Sequence, residues 1–114
     1  MKQVDETTML APFEIWEVQL GNQTIKFFEP LLLTPHWLED DPDESDENEY
    51  LAVEYPDLDI SAFGNDREEL WRCIRGDIRA AWKHCVQVPI EKLSPINRKI
   101  RENYLFVAEE IEDE

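Results

Sequence analysis

The side chains best suited to chemistry in this 114-residue chain are two thiols and two imidazoles. Cys73 and Cys85 fall on one predicted helix, where a rise of 1.5 Å per residue separates them by ~18 Å and excludes a disulfide between them. His84 adjoins Cys85, but adjacent helical residues point in different directions, and His36 is distant in the sequence. No zinc-binding pattern results, and two free thiols favour a reducing compartment.

Carboxylates offer the other route to catalysis, with Asp57, Asp59, Asp66 and Glu68 near the ends of predicted strands. A two-metal nuclease needs carboxylates that converge on ions ~4 Å apart. Asp66 instead suits a helix N-cap and Asp57 a turn, while strand alternation directs Asp59 away from its apolar neighbours. No nucleophile elbow, phosphate loop or dinucleotide fingerprint occurs. The sequence therefore predicts no catalytic residue, metal site or cofactor.

A long amphipathic helix from the N-cap Asp66 to about Val86 must position most of these groups. At about 100° per residue, its apolar residues fall on one side: Leu70, Trp71, Ile74, Ile78, Ala81, Trp82 and Cys85. The opposite side carries the basic ridge, which we define as Arg72, Arg75, Arg79 and Lys83. This pattern predicts a helix that buries one face and presents a row of cations on the other.

Four strands are predicted before this helix. Residues 13–20 and 23–29 flank Gly21-Asn22, a pair that suits a tight hairpin, and Pro30 places the second strand at an edge, at a bulge or at its end. Residues 50–55 and 58–62 alternate with period two, and Gly64 provides the freedom to turn into the helix.

Residues 50–86 resemble a known family. The pattern Tyr50, Pro56-Asp57-Leu58, Ser61, Gly64-Asn65-Asp66 and Glu68-Glu69-Leu70 is similar to the HicB-like antitoxin domain, although Asp59-Ile60 replaces its Pro-Gly-Cys turn and Ser61 lies one residue further from Gly64. The resemblance implies a partial RNase H-like fold. We therefore expect an α+β domain in which an antiparallel sheet of three to four strands packs on the long helix.

A shorter helix is predicted after the long one, giving the order β-β-β-β-α-α over a single domain. Ser94-Pro95 is a typical helix start, and apolar residues recur at helical spacing over roughly residues 95–108, although residues 104–107 could instead form a short strand. Residues 109–114 are predicted to fray as an acidic tail. HicB-like antitoxins often carry a DNA-binding segment after the domain. One short helix and an acidic end do not match such a segment, so we do not expect operator binding.

Residues 39–49 hold eight carboxylates in eleven positions, and no apolar side chain. Such a run repels itself and predicts a mobile loop. One hypothesis is that it masks the basic ridge until a partner competes. The preceding apolar residues 31–38 either complete the core or form an exposed patch for a partner chain.

Composition limits the function classes further. The formal charge of −16 disfavours direct binding of nucleic acid or an anionic membrane, and no run of 18 apolar residues exists that could span a bilayer. The N-terminal residues lack the apolar core of a signal peptide, so we expect a cytoplasmic location.

The sequence thus predicts a non-enzymatic module that neutralises or covers a small basic, toxin-like protein. The candidate contacts are Trp37, Leu38, Glu39, Asp40, Asp41 and the basic ridge. The alternative is a stand-alone HicB-like domain with a structural or regulatory role, either as a monomer or as a homodimer formed through a strand edge. The third hypothesis is a degenerate metal-dependent nuclease fold without activity.

Overall fold

The computed structural model describes residues 10–39 and 49–112. Within them the element order is β-β-β-β-β-α-α-β, which confirms the predicted α+β class. The strands are β1 (Phe13–Leu20), β2 (Gln23–Leu33), β3 (His36–Glu39), β4 (Glu49–Tyr55), β5 (Ile60–Gly64) and β6 (Ala108–Glu112). The helices are α1 (Arg67–Ala81) and α2 (Pro95–Val107).

The strands of the described residues divide between two antiparallel sheets of three strands, ordered β1-β2-β6 and β3-β4-β5. The second sheet differs from the expectation of a single sheet of three to four strands. The division follows Thr34-Pro35, where β2 ends and β3 begins. Proline cannot donate to a strand ladder, so the chain leaves the first sheet there and continues in the second.

The predicted hairpin of β1 and β2 is confirmed. Leu20 pairs with Gln23, which leaves Gly21 and Asn22 as the two turn residues. Gly21 has a φ of 63°, a left-handed conformation that glycine adopts without the steric cost of a side chain.

Pro30 lies in a bulge of β2, one of the three outcomes that the sequence allowed. Ile15 pairs with Leu31 and Glu17 with Lys26, so residues 27–30 of β2 face Trp16 alone. The missing N–H of proline is tolerated there because the ladder is already interrupted.

The prediction of a frayed tail at 109–114 was wrong over residues 109–112, which belong to β6 and pair with β2. The carboxylate of Glu110 holds this strand in place. It accepts hydrogen bonds from Trp82 Nε1 at 2.7 Å, Gln87 Nε2 at 2.9 Å and Gln23 Nε2 at 2.8 Å. Charge density alone suggested fraying, but these donors satisfy the acidic side chain on which the strand depends.

The second sheet contains the two strands that were predicted before the long helix. A 3₁₀ turn at Pro56–Leu58 separates β4 from β5, and Asp59 ends it with a φ of 58°. Residues 40–48 of the predicted acidic loop lie outside the described residues, while Glu39 and Glu49 pair as strand ends.

Helix α1 forms as its sequence predicts. Asp66 caps it by accepting from Glu69 N at 2.8 Å, and the side chains of Leu70, Ile74 and Ile78 are fully buried. Gly64 permits the tight entry into the helix, because a Cβ there would lie 2.7 Å from Leu70 N. A π-helical turn, Trp82–Val86, continues α1 to the predicted end.

Helix α2 begins at the predicted cap, where Ser94 Oγ accepts from Asn97 N at 3.2 Å. It remains helical through Val107, so the alternative of a strand at 104–107 was wrong. Tyr104 anchors this helix in the core through an edge-to-face contact with Trp82, whose ring centroid lies 5.7 Å away. Its hydroxyl donates to Leu58 O at 2.6 Å, which ties α2 to the second sheet.

Candidate functional site

A groove of about 550 Å³ lies between the β2 bulge, the end of β4 and the end of α2. Four large apolar side chains that line it are exposed. We call it the aromatic groove and define it by Phe28, Leu32, Tyr55 and Phe106. Phe106 is 84% exposed, Leu32 58% and Phe28 56%. Apolar side chains that cluster in one concavity at such exposure are typical of an interaction site.

Strand alternation along β2 explains why Phe28 and Leu32 face outward. Phe27 and Leu31 are buried on the core side of β2, and their neighbours Phe28 and Leu32 point to the other side. Adjacent strand residues alternate between faces, so pairs of neighbouring apolar residues cannot both reach one core.

The charge around the aromatic groove is negative. Glu29 lines the groove itself. A second depression of about 530 Å³ shares Phe28 with the aromatic groove and is lined by Glu109 and Glu110 together with Leu105 and Val86. The apolar surface is therefore bordered by carboxylates, which favours a partner that combines apolar and cationic side chains.

A further groove of about 610 Å³ lies between α2 and the connection from β4 to β5. Its charged lining residues are Glu54, Asp57, Asp59 and Lys99, and its apolar lining includes Ile60, Ile96 and Ile100. We call it the acidic groove. Asn103 Nδ2 donates to Asp57 O at 2.8 Å, which fixes the distance between the two walls.

The carboxylates that could have served a nuclease do not converge. Asp66 caps α1, and Glu68 contacts Arg72 at 3.5 Å on the exposed side of the helix. Asp57 and Asp59 line the acidic groove. In the described ranges no group of three His, Cys, Asp or Glu side chains is positioned to hold a metal ion.

Asp77 is a carboxylate whose pKa is shifted by its surroundings. Burial raises the pKa of Asp77 from its ordinary value of 3.8; a hydrogen bond from Ser61 N opposes this shift and the charge of Asp59 adds to it. That hydrogen bond, at 2.9 Å, joins α1 to β5. Asp77 therefore has a structural role in holding the helix to the sheet.

The two thiols differ in burial. Cys85 is buried on the apolar side of the helix, and burial, followed by the charge of Asp59, raises the pKa of its thiol. Cys73 is half-buried and, like Cys85, not part of a disulfide. A thiol with a raised pKa is a poor nucleophile.

The basic ridge is divided among separate local contacts. Arg75 lies 5.5 Å from the centroid of the Trp71 ring, and Arg79 Nε donates to Gln19 O at 2.7 Å. Lys83 is exposed. The ridge therefore does not present one uniform row of free cations, and its role in partner binding stays a prediction.

The other predicted contacts lie on or beyond β3. Trp37 is half-buried and packs against the core, and Leu31 and Leu33 are buried, which favours the core interpretation for these parts of residues 31–38. Leu38 and Glu39 belong to β3. Asp40 and Asp41 lie outside the described residues, as does most of the run proposed to mask the ridge.

The aromatic groove is not among the sites predicted from the sequence, although the sequence contains a signal for part of it. Phe27-Phe28 and Leu31-Leu32 are adjacent apolar pairs in a predicted strand and its extension, so one member of each had to face outward. Phe106 gave less warning, because its exposure depends on how α2 is rotated against the sheets.

No protein-family model, curated protein or solved structure matches this chain. The resemblance to HicB-like antitoxins stays a prediction based on residues 50–86. Within the part of the chain that the structure describes, neither helix is long and apolar enough to cross a membrane.

Proposed function

We propose that this chain is a non-enzymatic protein-binding module that covers a small basic protein through the aromatic groove. The observation that carries the proposal is the exposure of Phe28, Leu32 and Phe106 around one groove in a chain with a formal charge of −16. Large apolar side chains supply binding energy at the centre of an interface, and the carboxylates around them select the charge of the partner.

Charge also favours a basic partner over a second copy of the chain. Two copies would each carry a net charge of −16, and like-charged molecules repel as they approach. A cationic surface would be attracted, with faster association at low salt. This agrees with the toxin-neutralising role that the HicB-like resemblance implies.

The proposed location is the cytoplasm. The two cysteines are not part of a disulfide, although secreted proteins of this size often depend on such bonds. A reducing compartment would keep both thiols in this state.

The test is a pull-down from the native host's lysate with the tagged protein and two matched variants, Phe106→Ser and Ile90→Ser. Both positions are exposed, at 84% and 50%, but Ile90 lies outside the aromatic groove. We expect the wild type and Ile90→Ser to retain one small basic protein that Phe106→Ser loses, and high salt to weaken its retention.

Equal retention by the two variants, or a bound protein that is acidic, would overturn the proposal. Circular dichroism of both variants would establish that each remains folded. Light scattering would detect a homodimer, and a dimer disrupted by Phe106→Ser would show that the groove serves self-association instead.

A further inference from the structure

The aromatic groove and the acidic groove follow one another along the outer side of α2. The acidic groove is lined by residues 96–103 of this helix, and the aromatic groove by Phe106 and Val107. At about 100° per residue, the α2 residues that line the two grooves fall within an arc of about 120°: Ile96, Lys99, Ile100, Asn103, Phe106 and Val107. The two grooves therefore share one wall.

The opposite wall is also continuous in sequence. Tyr55 lines the aromatic groove, and its neighbours Glu54 and Pro56 line the acidic groove. Both grooves therefore lie at the same end of β4.

The distance between the two grooves fits a partner helix better than a partner strand. Their α2 lining residues are centred about seven positions apart, which corresponds to ~10 Å along the helix axis. A partner helix that lies along α2 places its residues i and i+7 at this distance and on one face. An extended strand covers ~10 Å in three residues, and its residues i and i+3 point to opposite sides.

The chemistry of the grooves selects the side chains. The aromatic groove suits a large apolar residue, since Phe28, Leu32 and Phe106 are exposed around it. The acidic groove has an apolar floor with carboxylates along it, which suits the aliphatic stem and cationic head of Lys or Arg. Lys99 offsets part of this charge, but three carboxylates outnumber it.

We infer that the two grooves form one docking site for a basic amphipathic helix of the partner protein. An apolar residue of that helix occupies the aromatic groove, and a Lys or Arg two turns away occupies the acidic groove between Asp57 and Asp59. This inference rests on the proposed function and specifies the element of the partner that is bound.

The probe for the test is a fluorescently labelled synthetic peptide of leucine and lysine, about 15 residues long so that it can form a helix. Its leucines lie on one helical face. A second peptide has the same composition in an order that distributes leucine around the helix. Binding to the full chain is measured by fluorescence anisotropy at low and physiological salt.

The matched variants are the pair Asp57→Asn/Asp59→Asn and the pair Glu17→Gln/Glu91→Gln. Each pair removes two negative charges, but Glu17 and Glu91 are exposed residues outside both grooves. Asparagine tolerates the positive φ of Asp59, and Asn103 contacts the carbonyl of Asp57, which is retained.

We expect the amphipathic peptide to bind about tenfold more tightly than the reordered one, a difference of about 1.4 kcal/mol. The Asp57→Asn/Asp59→Asn pair and Phe106→Ser should each weaken it several-fold, and the Glu17→Gln/Glu91→Gln pair should leave it within about twofold of wild type. Equal binding of both peptides, or equal weakening by both charge pairs, would overturn the inference in favour of unspecific attraction.

The two proposals can fail separately. If Phe106→Ser releases the basic protein in the pull-down but Asp57→Asn/Asp59→Asn does not affect the peptide, the proposed function stands and the helical docking site is wrong. If Phe106→Ser affects neither the basic protein nor the peptide, both proposals are wrong.

Discussion

Helices α1 and α2 differ in how much of their apolar surface is covered. On α1 the guanidinium of Arg67 lies 4.1 Å from the centroid of the Phe13 ring, and Arg79 bonds to a carbonyl of β1. On α2 the apolar residues Ile96 and Phe106 are 73% and 84% exposed. Cationic side chains contact carbonyls of the same chain on both helices, since Arg101 of α2 donates to Val88 O at 3.4 Å. The difference is that α2 leaves large apolar side chains uncovered and α1 does not.

This comparison shows that residue type alone does not identify a free surface. An arginine or lysine side chain can pack its aliphatic stem and its charged head group against an aromatic ring or a carbonyl of its own chain. An exposed aromatic has no such alternative when the core is already filled. The sequence predicts a partner contact at the basic ridge on the α1 side, whereas the more accessible apolar surface lies on α2.

The largest expected effect is on the α1 side. Trp71 stacks on Phe13 with ring centroids 5.9 Å apart, so Trp71→Ala should lower the free energy of unfolding by about 2–3 kcal/mol. Phe106→Ala should change it by less than about 0.5 kcal/mol, because the side chain is exposed. Urea denaturation followed by circular dichroism measures both, and losses of equal size would contradict the comparison.

A smaller effect separates two members of the basic ridge. Arg79→Ala removes the hydrogen bond to Gln19 O and should cost about 1 kcal/mol of unfolding free energy. Lys83→Ala alters an exposed side chain and should remain within about 0.5 kcal/mol of wild type. A greater loss from Lys83→Ala in the same urea titration would show that the ridge acts as a unit.

The smallest expected effect concerns Asp77, where α1 meets β5. Since burial raises its pKa in the folded state, this carboxyl contributes stability below its unfolded-state pKa and loses that contribution as the pH rises through the folded-state pKa. Asp77→Asn should therefore gain a few tenths of a kcal/mol relative to wild type between pH 3 and pH 7. Urea titrations of both proteins at the two pH values measure this difference, and a relative loss at pH 7 would mean that the charged hydrogen bond to Ser61 outweighs the burial.

Local patterns were sufficient to predict the elements whose signals are contained in a few neighbouring residues. Asp66 lies next to the helix that it caps, and Leu70, Ile74 and Ile78 repeat at the spacing that buries them. The turn at Gly21 is likewise a property of two adjacent residues.

Elements that depend on distant partners were not predictable in this way. The strand β6 is short and acidic, and its formation requires β2 and the donors of Trp82 and Gln87. Pro30 indicates a bulge as one of three outcomes, but the residue that faces the bulge, Trp16, depends on register, which no local pattern determines. The outward side of Phe28 and Leu32 follows from strand alternation, whereas the exposure of Phe106 depends on the rotation of α2, so only part of the aromatic groove was predictable.

The pairing of β6 with β2 also has a kinetic consequence. Phe27 and Ala108, which are partners in this ladder, are separated by more than 80 residues of chain. Contacts between distant residues raise the contact order, and closing so long a loop costs entropy before any hydrogen bond forms. The first sheet should therefore be completed late in folding, and until then the edge of β2 lacks its second neighbour. That interval is when the chain is most open to pairing with a strand from another molecule.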